Sequence, residues 1–259
     1  MNRIDQAFID KERDLLNVYF TAGHPELEDT LTIAKALNDA GADLIEIGLP
    51  FSDPIADGET IQVSSHQALE NGMSIAKLLD QLAELRPTVQ VPVLLMGYIN
   101  PILQYGFEKF CARCNEVGVD GLILPDLPMY EYEEMYAEVL EKYGLYNVFL
   151  ITPQTSDERI RKIDELSKGF IYMVSSASTT GAKSGISDTQ IEYFKRIAAM
   201  KLKNRKLIGF GISDNDSFTK ACQYADGAIV GSAFIKQLSA DKTSASIQHF
   251  VQNIKSPKS

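Results

Sequence analysis

The sequence predicts an α/β fold of one kind: a single (β/α)8 barrel of the TIM type with a short extra N-terminal helix. Three observations carry this. Short continuous apolar runs alternate with helix-period stretches from the first strand to the C-terminus. Eight such runs fit into the 259 residues, as closing a parallel barrel requires. No Pro/Ser-rich linker or low-complexity tract interrupts the alternation, so residues 1–259 read as one domain.

The elements follow in order. The opening segment is amphipathic, with Ile4, Phe8 and Ile9 on its apolar side. Strands are expected at Leu16–Thr21, Leu44–Gly48, Val93–Gly97, Gly121–Pro125, Val148–Thr152, Phe170–Val174, Leu207–Gly211 and Ala228–Gly231. Amphipathic helical stretches between them include Thr30–Ala40, Ile75–Leu85, Phe107–Val117, Tyr130–Tyr143, Asp157–Leu166, Asp188–Met200 and Ser217–Tyr224. An open doubly wound sheet is the alternative. Its dinucleotide-binding glycine fingerprint is missing from the first strand-to-helix turn, Thr21-Ala22-Gly23-His24-Pro25.

Composition narrows the function. A formal net charge of −10 leaves no basic stripe for a nucleic-acid backbone or an anionic membrane. The first ten residues lack the apolar run of a signal peptide, and no stretch approaches a membrane span, so a cytoplasmic enzyme is expected. Cys111 and Cys114 form a C-x-x-C within a helical segment, with no second pair and with Cys222 far away; they read as structural thiols.

In such barrels the chemistry gathers at the C-terminal ends of the strands. Period-two alternation in Leu44-Ile45-Glu46-Ile47-Gly48 turns Glu46 into the barrel, opposite Ile45 and Ile47. A carboxyl in a partly apolar interior has a raised pKa, suited to proton transfer near neutrality. A buried structural pair is the plainer reading, but no basic residue lies close in sequence. The loop from Leu49 to Gly58 is longer than a minimal connection and carries Asp53 and Asp57. Asp53 suits a loop brace; Asp57, beside Gly58 and the next helix, suits either an N-cap or a site acid.

The last two strands finish in Gly209-Phe210-Gly211-Ile212-Ser213 and Gly231-Ser232-Ala233, turns whose backbone amides can hold a phosphate between the seventh and eighth strands. The small polar run Ser175–Ser187 reads as a lid, with Thr180 and Gly181 able to add donors. Tyr172 alternates with Ile171 and Met173, placing it either at the barrel mouth or in the core. No proposed strand ends in a Schiff-base lysine, since Lys206 precedes its strand and Lys183 lies in the lid. His24, His66 and His249 show no metal-ligand spacing. Carboxylate acid–base chemistry remains.

The segment from Glu46 through Leu49-Pro50-Phe51-Ser52-Asp53-Pro54 to Asp57-Gly58 closely resembles the tryptophan synthase α-subunit family. Leu94-Leu95-Met96, Asp120-Gly121, Pro125-Asp126-Leu127-Pro128, Gly209-Phe210-Gly211-Ile212-Ser213 and Gly231-Ser232-Ala233 follow in the family's order, so the resemblance spans nearly the whole chain. It implies retro-aldol cleavage of indole-3-glycerol phosphate to indole and glyceraldehyde 3-phosphate. In that reading Glu46 transfers the protons and Asp57 accepts the indole N–H. Thr180, Gly181, Gly211, Gly231 and Ser232 hold the phosphate, and Tyr172 stands at the indole pocket. It also implies a pyridoxal-phosphate-bearing β subunit in an α2β2 complex, with no cofactor or metal in this chain. The lid departs from the family's wording: Ser176-Ala177-Ser178-Thr179-Thr180-Gly181 lacks its arginine and its Gly-Val-Thr-Gly, while the Thr-Gly pair is kept.

Overall fold

The computed structural model describes residues 1–175, 186–209 and 211–256. Its strand segments are β1 (Leu15–Thr21), β2 (Leu44–Gly48), β3 (Val93–Met96), β4 (Gly121–Ile123), β5 (Tyr146–Val148), β6 (Leu150–Ile151), β7 (Phe170–Val174), β8 (Arg205–Gly209) and β9 (Gly227–Val230). All pairings are parallel, in the order β5-β4-β3-β2-β1-β9-β8-β7-β6.

The nine segments make eight staves. β5 and β6 are consecutive in the chain and separated only by Phe149, so they form the one strand expected at Val148–Thr152. β5 pairs only with β4 and β6 only with β7. A closed barrel staggers its register, so a short stave meets its two neighbours at different heights. That stagger divides the ladder at Phe149, which points outward and packs edge-on against Tyr132 at 5.0 Å.

Helices at Thr30–Ala40, Phe107–Val117 and Asp157–Leu166 have the expected bounds. β8 begins earlier than expected, so Lys206 lies inside the strand rather than before it, though still at its N-terminal end. Period-two alternation sorts the strand residues into two apolar layers. Val18, Phe20, Ile45, Ile47, Leu95 and Leu122 pack outward against the helices. Leu15, Leu44, Leu94, Ile123, Phe170, Leu207 and Ile229 fill the interior.

The N-terminal helix, Arg3–Asp10, seals the N-terminal end of that interior. Ile4 and Phe8 are buried, whereas Ile9, expected on the same apolar side, is 61% exposed. Phe8 meets Phe170 at 6.1 Å. Ile4 lies so close to Gly169 and Gly121 that a Cβ there would fall 2.8 and 3.2 Å from its side chain. With this end closed, access to the interior is left to the C-terminal mouth.

Asp120 ties the closed end together. Its carboxylate accepts from Arg86 Nη2 at 2.5 Å, Arg3 Nη1 at 2.9 Å and the Val93 amide at 2.8 Å. Its carbonyl takes the Asn2 side chain at 2.9 Å and the Tyr146 amide at 3.1 Å. Removing one partner of such a buried network leaves guanidinium and amide donors without acceptors. Asp120→Ala is expected to lower the free energy of urea unfolding by about 3–5 kcal/mol. Lys35→Ala, which breaks an exposed pair with Asp39, changes it by about 0.5 kcal/mol or less. Equal effects of the two substitutions would contradict this role for Asp120.

Candidate active site

Glu46 lies where alternation along β2 puts it: beside Tyr19 of β1 and Leu94 of β3, two positions past the interior Leu44. It is fully buried. Asn17, two register positions nearer the closed end on β1, donates its side-chain amide to Oε2 at 2.9 Å. Oε1 is buried without a hydrogen-bond partner. Desolvation dominates and raises the carboxyl from its ordinary 4.5 to about 8; the Asn17 donor pulls it down, and the charge of Asp57 adds a smaller push upward.

Asp57 closes the loop after β2 and is 7% exposed. Gly58, not Asp57, holds the N-cap position of the helix Glu59–Glu70, without a side-chain cap bond. The capping alternative therefore falls. The Asp57 carboxylate instead accepts from the Tyr98 hydroxyl at 2.9 Å, and its carbonyl accepts from Gln62 Nε2 at 2.8 Å. Burial raises its pKa, while the Tyr98 donor opposes the rise. The same Tyr98 oxygen accepts the amides of Ile55 and Ala56 at 3.1 and 3.0 Å, and its ring meets Phe51 at 5.1 Å. Tyr98 is thus the brace of the loop. Asp53, exposed and bonded to its neighbour Ser52, does not fill that role.

Sequence reasoning missed both Asn17 and Tyr98. Asn17 sits at an inward position between Leu15 and Tyr19, and a polar residue at an inward position was an available signal. Tyr98 follows the end of β3, on the rim where function gathers, but its partners lie about forty residues earlier in the chain.

Two aromatic side chains complete the interior above Leu44. Tyr19 crosses Gly48 so closely that a Cβ there would lie 2.1 Å from its hydroxyl, and Tyr172 crosses Gly209 with a corresponding 2.3 Å. Tyr172 is therefore an inward residue of β7 in the same interior cluster as Tyr19. Burial raises both phenols well above their usual range, with the charges of Asp57 and Glu46 adding to it. Both hydroxyls keep their protons and can donate.

β8 and β9 are neighbours, which brings their two C-terminal turns together. Gly211 is exposed with φ +79°, a backbone that favours glycine. Gly231 is the N-cap of the helix Ser232–Ala240, whose first turn has no side-chain acceptor, and Ser232 is exposed. Unpaired amides at a helix start suit an anion. Thr180 and Gly181 lie outside the described residues. Among the described residues no group of three His, Cys, Asp or Glu side chains is placed to hold a metal. Cys111 and Cys114 are free and buried, the former's thiol pushed up to about 12 by desolvation, in keeping with structural thiols.

The arrangement can exchange a proton at Glu46 Oε1, hold a polarised donor at Asp57, offer two phenol donors in the interior and bind an anion at the far rim. The sequence profile of the family described as Tryptophan synthase alpha chain matches residues 6–258. The alpha chain of Flavobacterium psychrophilum is 58% identical over 254 residues, covering 98% of this chain and 100% of that one. That of Parabacteroides distasonis is 53% identical, covering 95% of each. Among solved structures, the tryptophan synthase subunit alpha of Legionella pneumophila superposes with a TM-score of 0.87 at 33% identity, covering 98% and 97% of the two chains. Mycobacterium tuberculosis tryptophan synthase does so with 0.88 at 29%, covering 98% and 97%.

A carboxyl whose pKa is higher folded than unfolded binds its proton more tightly in the native state. Stability is then greatest below the unfolded value and falls as pH rises from 4.5 toward 8. Urea unfolding across this window is expected to show Glu46→Gln removing a loss on the order of 4 kcal/mol. Parallel pH–stability curves for the two proteins would contradict the raised pKa.

Proposed function

This chain belongs to the tryptophan synthase alpha chain family, and we propose that Glu46 and Asp57 divide the acid–base work of the family's reaction between them. The reaction is the lyase cleavage of indole-3-glycerol phosphate to indole and glyceraldehyde 3-phosphate. The alpha chain needs no cofactor of its own; pyridoxal phosphate is carried by the β subunit with which it pairs. No helix among the described residues is long and apolar enough to cross a membrane. A cytoplasmic α2β2 heterotetramer, with residues 1–259 of each α chain as one barrel domain, is the assembly we propose.

The observation that carries the assignment is the unpartnered Oε1 of a fully buried Glu46 on the same strand-and-loop unit as Asp57. With its pKa near 8, Glu46 enters as the acid at neutral pH. It gives its proton to the indole ring carbon bearing the glycerol chain, leaving the ring nitrogen positive. Asp57, whose carboxylate form the Tyr98 donor favours, accepts the N–H hydrogen bond and stabilises that charge. Glu46, now a carboxylate, takes the proton from the adjacent chain hydroxyl. The carbon–carbon bond breaks, its electron pair returns to the ring, and the oxygen becomes the aldehyde of glyceraldehyde 3-phosphate. Glu46 ends protonated, as it began. The two environments suit two roles, one carboxyl held neutral by burial and one given a hydroxyl donor that favours its charge.

Tyr172 is assigned to the wall of the indole pocket. Gly211, Gly231 and Ser232, with Thr180 and Gly181 of the lid, are assigned to the phosphate. The two ends of the substrate are then gripped while the reacting carbon lies over Glu46.

Indole release by the purified chain, with and without a β subunit, tests the assignment. Slow release alone, stimulation by β, no detectable release from Glu46→Gln and a fall of about 10²–10³-fold in kcat for Asp57→Asn are expected. Release at the wild-type rate from Asp57→Asn would remove its charge-stabilising role, and no release from the wild type in either condition would overturn the function.

A further inference from the structure

We propose that Asn17 is the positioning residue of the active carboxyl: its side-chain N–H holds Glu46 Oε2 and leaves Oε1 as the one oxygen that exchanges protons with the substrate. The inference rests on the reading of Glu46 as the proton-transfer residue, and assigns its two oxygens different tasks.

Asn17 is fully buried in the barrel interior, with Leu44 and Ile229 as its register partners on the flanking strands. An amide in such surroundings is costly unless its hydrogen bonds are made. Here only the donor end is used, toward Glu46, while Oδ1 is buried with no partner. A side chain kept for packing alone would be apolar, and one kept for a structural network would use both ends. Because Asn17 lies two register positions nearer the closed end than Glu46, the oxygen it holds is directed away from the mouth. A donor of this kind also fixes the carboxyl plane, which a single rotatable side chain in an apolar cavity does not do for itself, and its bond strengthens when Glu46 becomes a carboxylate.

The groups facing Glu46 come from three elements: Tyr19 of β1, Asp57 of the loop after β2, and Tyr172 of β7. Among the described residues no cation acts on it. The Asn17 N–H is the group that favours the ionised form against burial and against Asp57. Without it, the carboxyl becomes a weaker acid and loses its fixed plane, while the substrate-binding surfaces stay unchanged.

The experiment measures kcat and KM for indole release from pH 6 to 10 by the full chain with its β subunit. Wild type is compared with Asn17→Leu, of the same branching but bulkier and without a donor, and with the near-isosteric Asn17→Asp. The latter serves if the leucine variant does not fold. Both are expected to hold KM within about twofold, to lose about tenfold in kcat at neutral pH, and to move the falling limb of kcat upward by about one pH unit. A pH limb that superimposes on wild type, whether kcat is intact or KM alone has risen, overturns the proposal and leaves Asn17 as packing. Glu46→Gln, assayed in parallel, separates the two layers of the argument. Activity in that variant removes the premise, whereas an inactive Glu46→Gln beside an unshifted Asn17 profile removes only the positioning role.

Discussion

A carboxyl group inside a barrel must be either paired or held neutral, because the interior supplies too little solvation for a lone charge. Among the described residues Glu46 meets that constraint with one donor and no cation, and much of the rest of the structure can be understood as its surroundings. The N-terminal helix shuts the far end of the cavity with Ile4 and Phe8. Tyr19 and Tyr172 close over it from β1 and β7, which is why Gly48 and Gly209 stand where a Cβ would strike a phenol oxygen. These groups together keep water away from Glu46, and a carboxyl that would be ionised on the surface stays protonated near neutrality.

Asp57 shows the opposite solution a few residues along the chain. It is nearly as buried, but Tyr98 donates directly to its carboxylate while the same hydroxyl accepts two amides of the loop. The bond that favours its charge is also the bond that fixes the loop, so a change at Tyr98 would disturb electrostatics and geometry together. Two acids from one strand and its following loop thereby have different immediate neighbours, one with an unpartnered oxygen and one with a hydroxyl donor favouring its charge, which suits one to proton donation and the other to holding a negative charge.

Much of this was legible in the sequence, because strand alternation is a local property. The period-two pattern of Leu44–Gly48 fixes the inward direction of Glu46 without any knowledge of the neighbouring strands, and the helix bounds at Thr30–Ala40 and Asp157–Leu166 follow from apolar periodicity alone. What escaped depends on register between distant segments. Asn17 is recognisable as polar and inward, yet its pairing with Glu46 exists only once β1 and β2 are aligned. Tyr98 reaches back across β3 to a loop about forty residues earlier. The capping alternative for Asp57 arose because a local rule was applied where a long-range bond prevails, and the split at Phe149 comes from barrel stagger that no single strand encodes. Ile9 fits the apolar periodicity of its helix but is exposed rather than packed into the barrel.

The central claim is that Glu46 is a neutral acid in the resting protein. Infrared difference spectroscopy of the protonated-carboxyl stretch, wild type minus Glu46→Gln, reads that state directly as pH is raised. A carboxylic-acid band present at pH 6 and lost with a midpoint near 8 is the result expected from its burial. A difference spectrum already showing the ionised group at pH 6 would place Glu46 near its ordinary 4.5 and contradict the account.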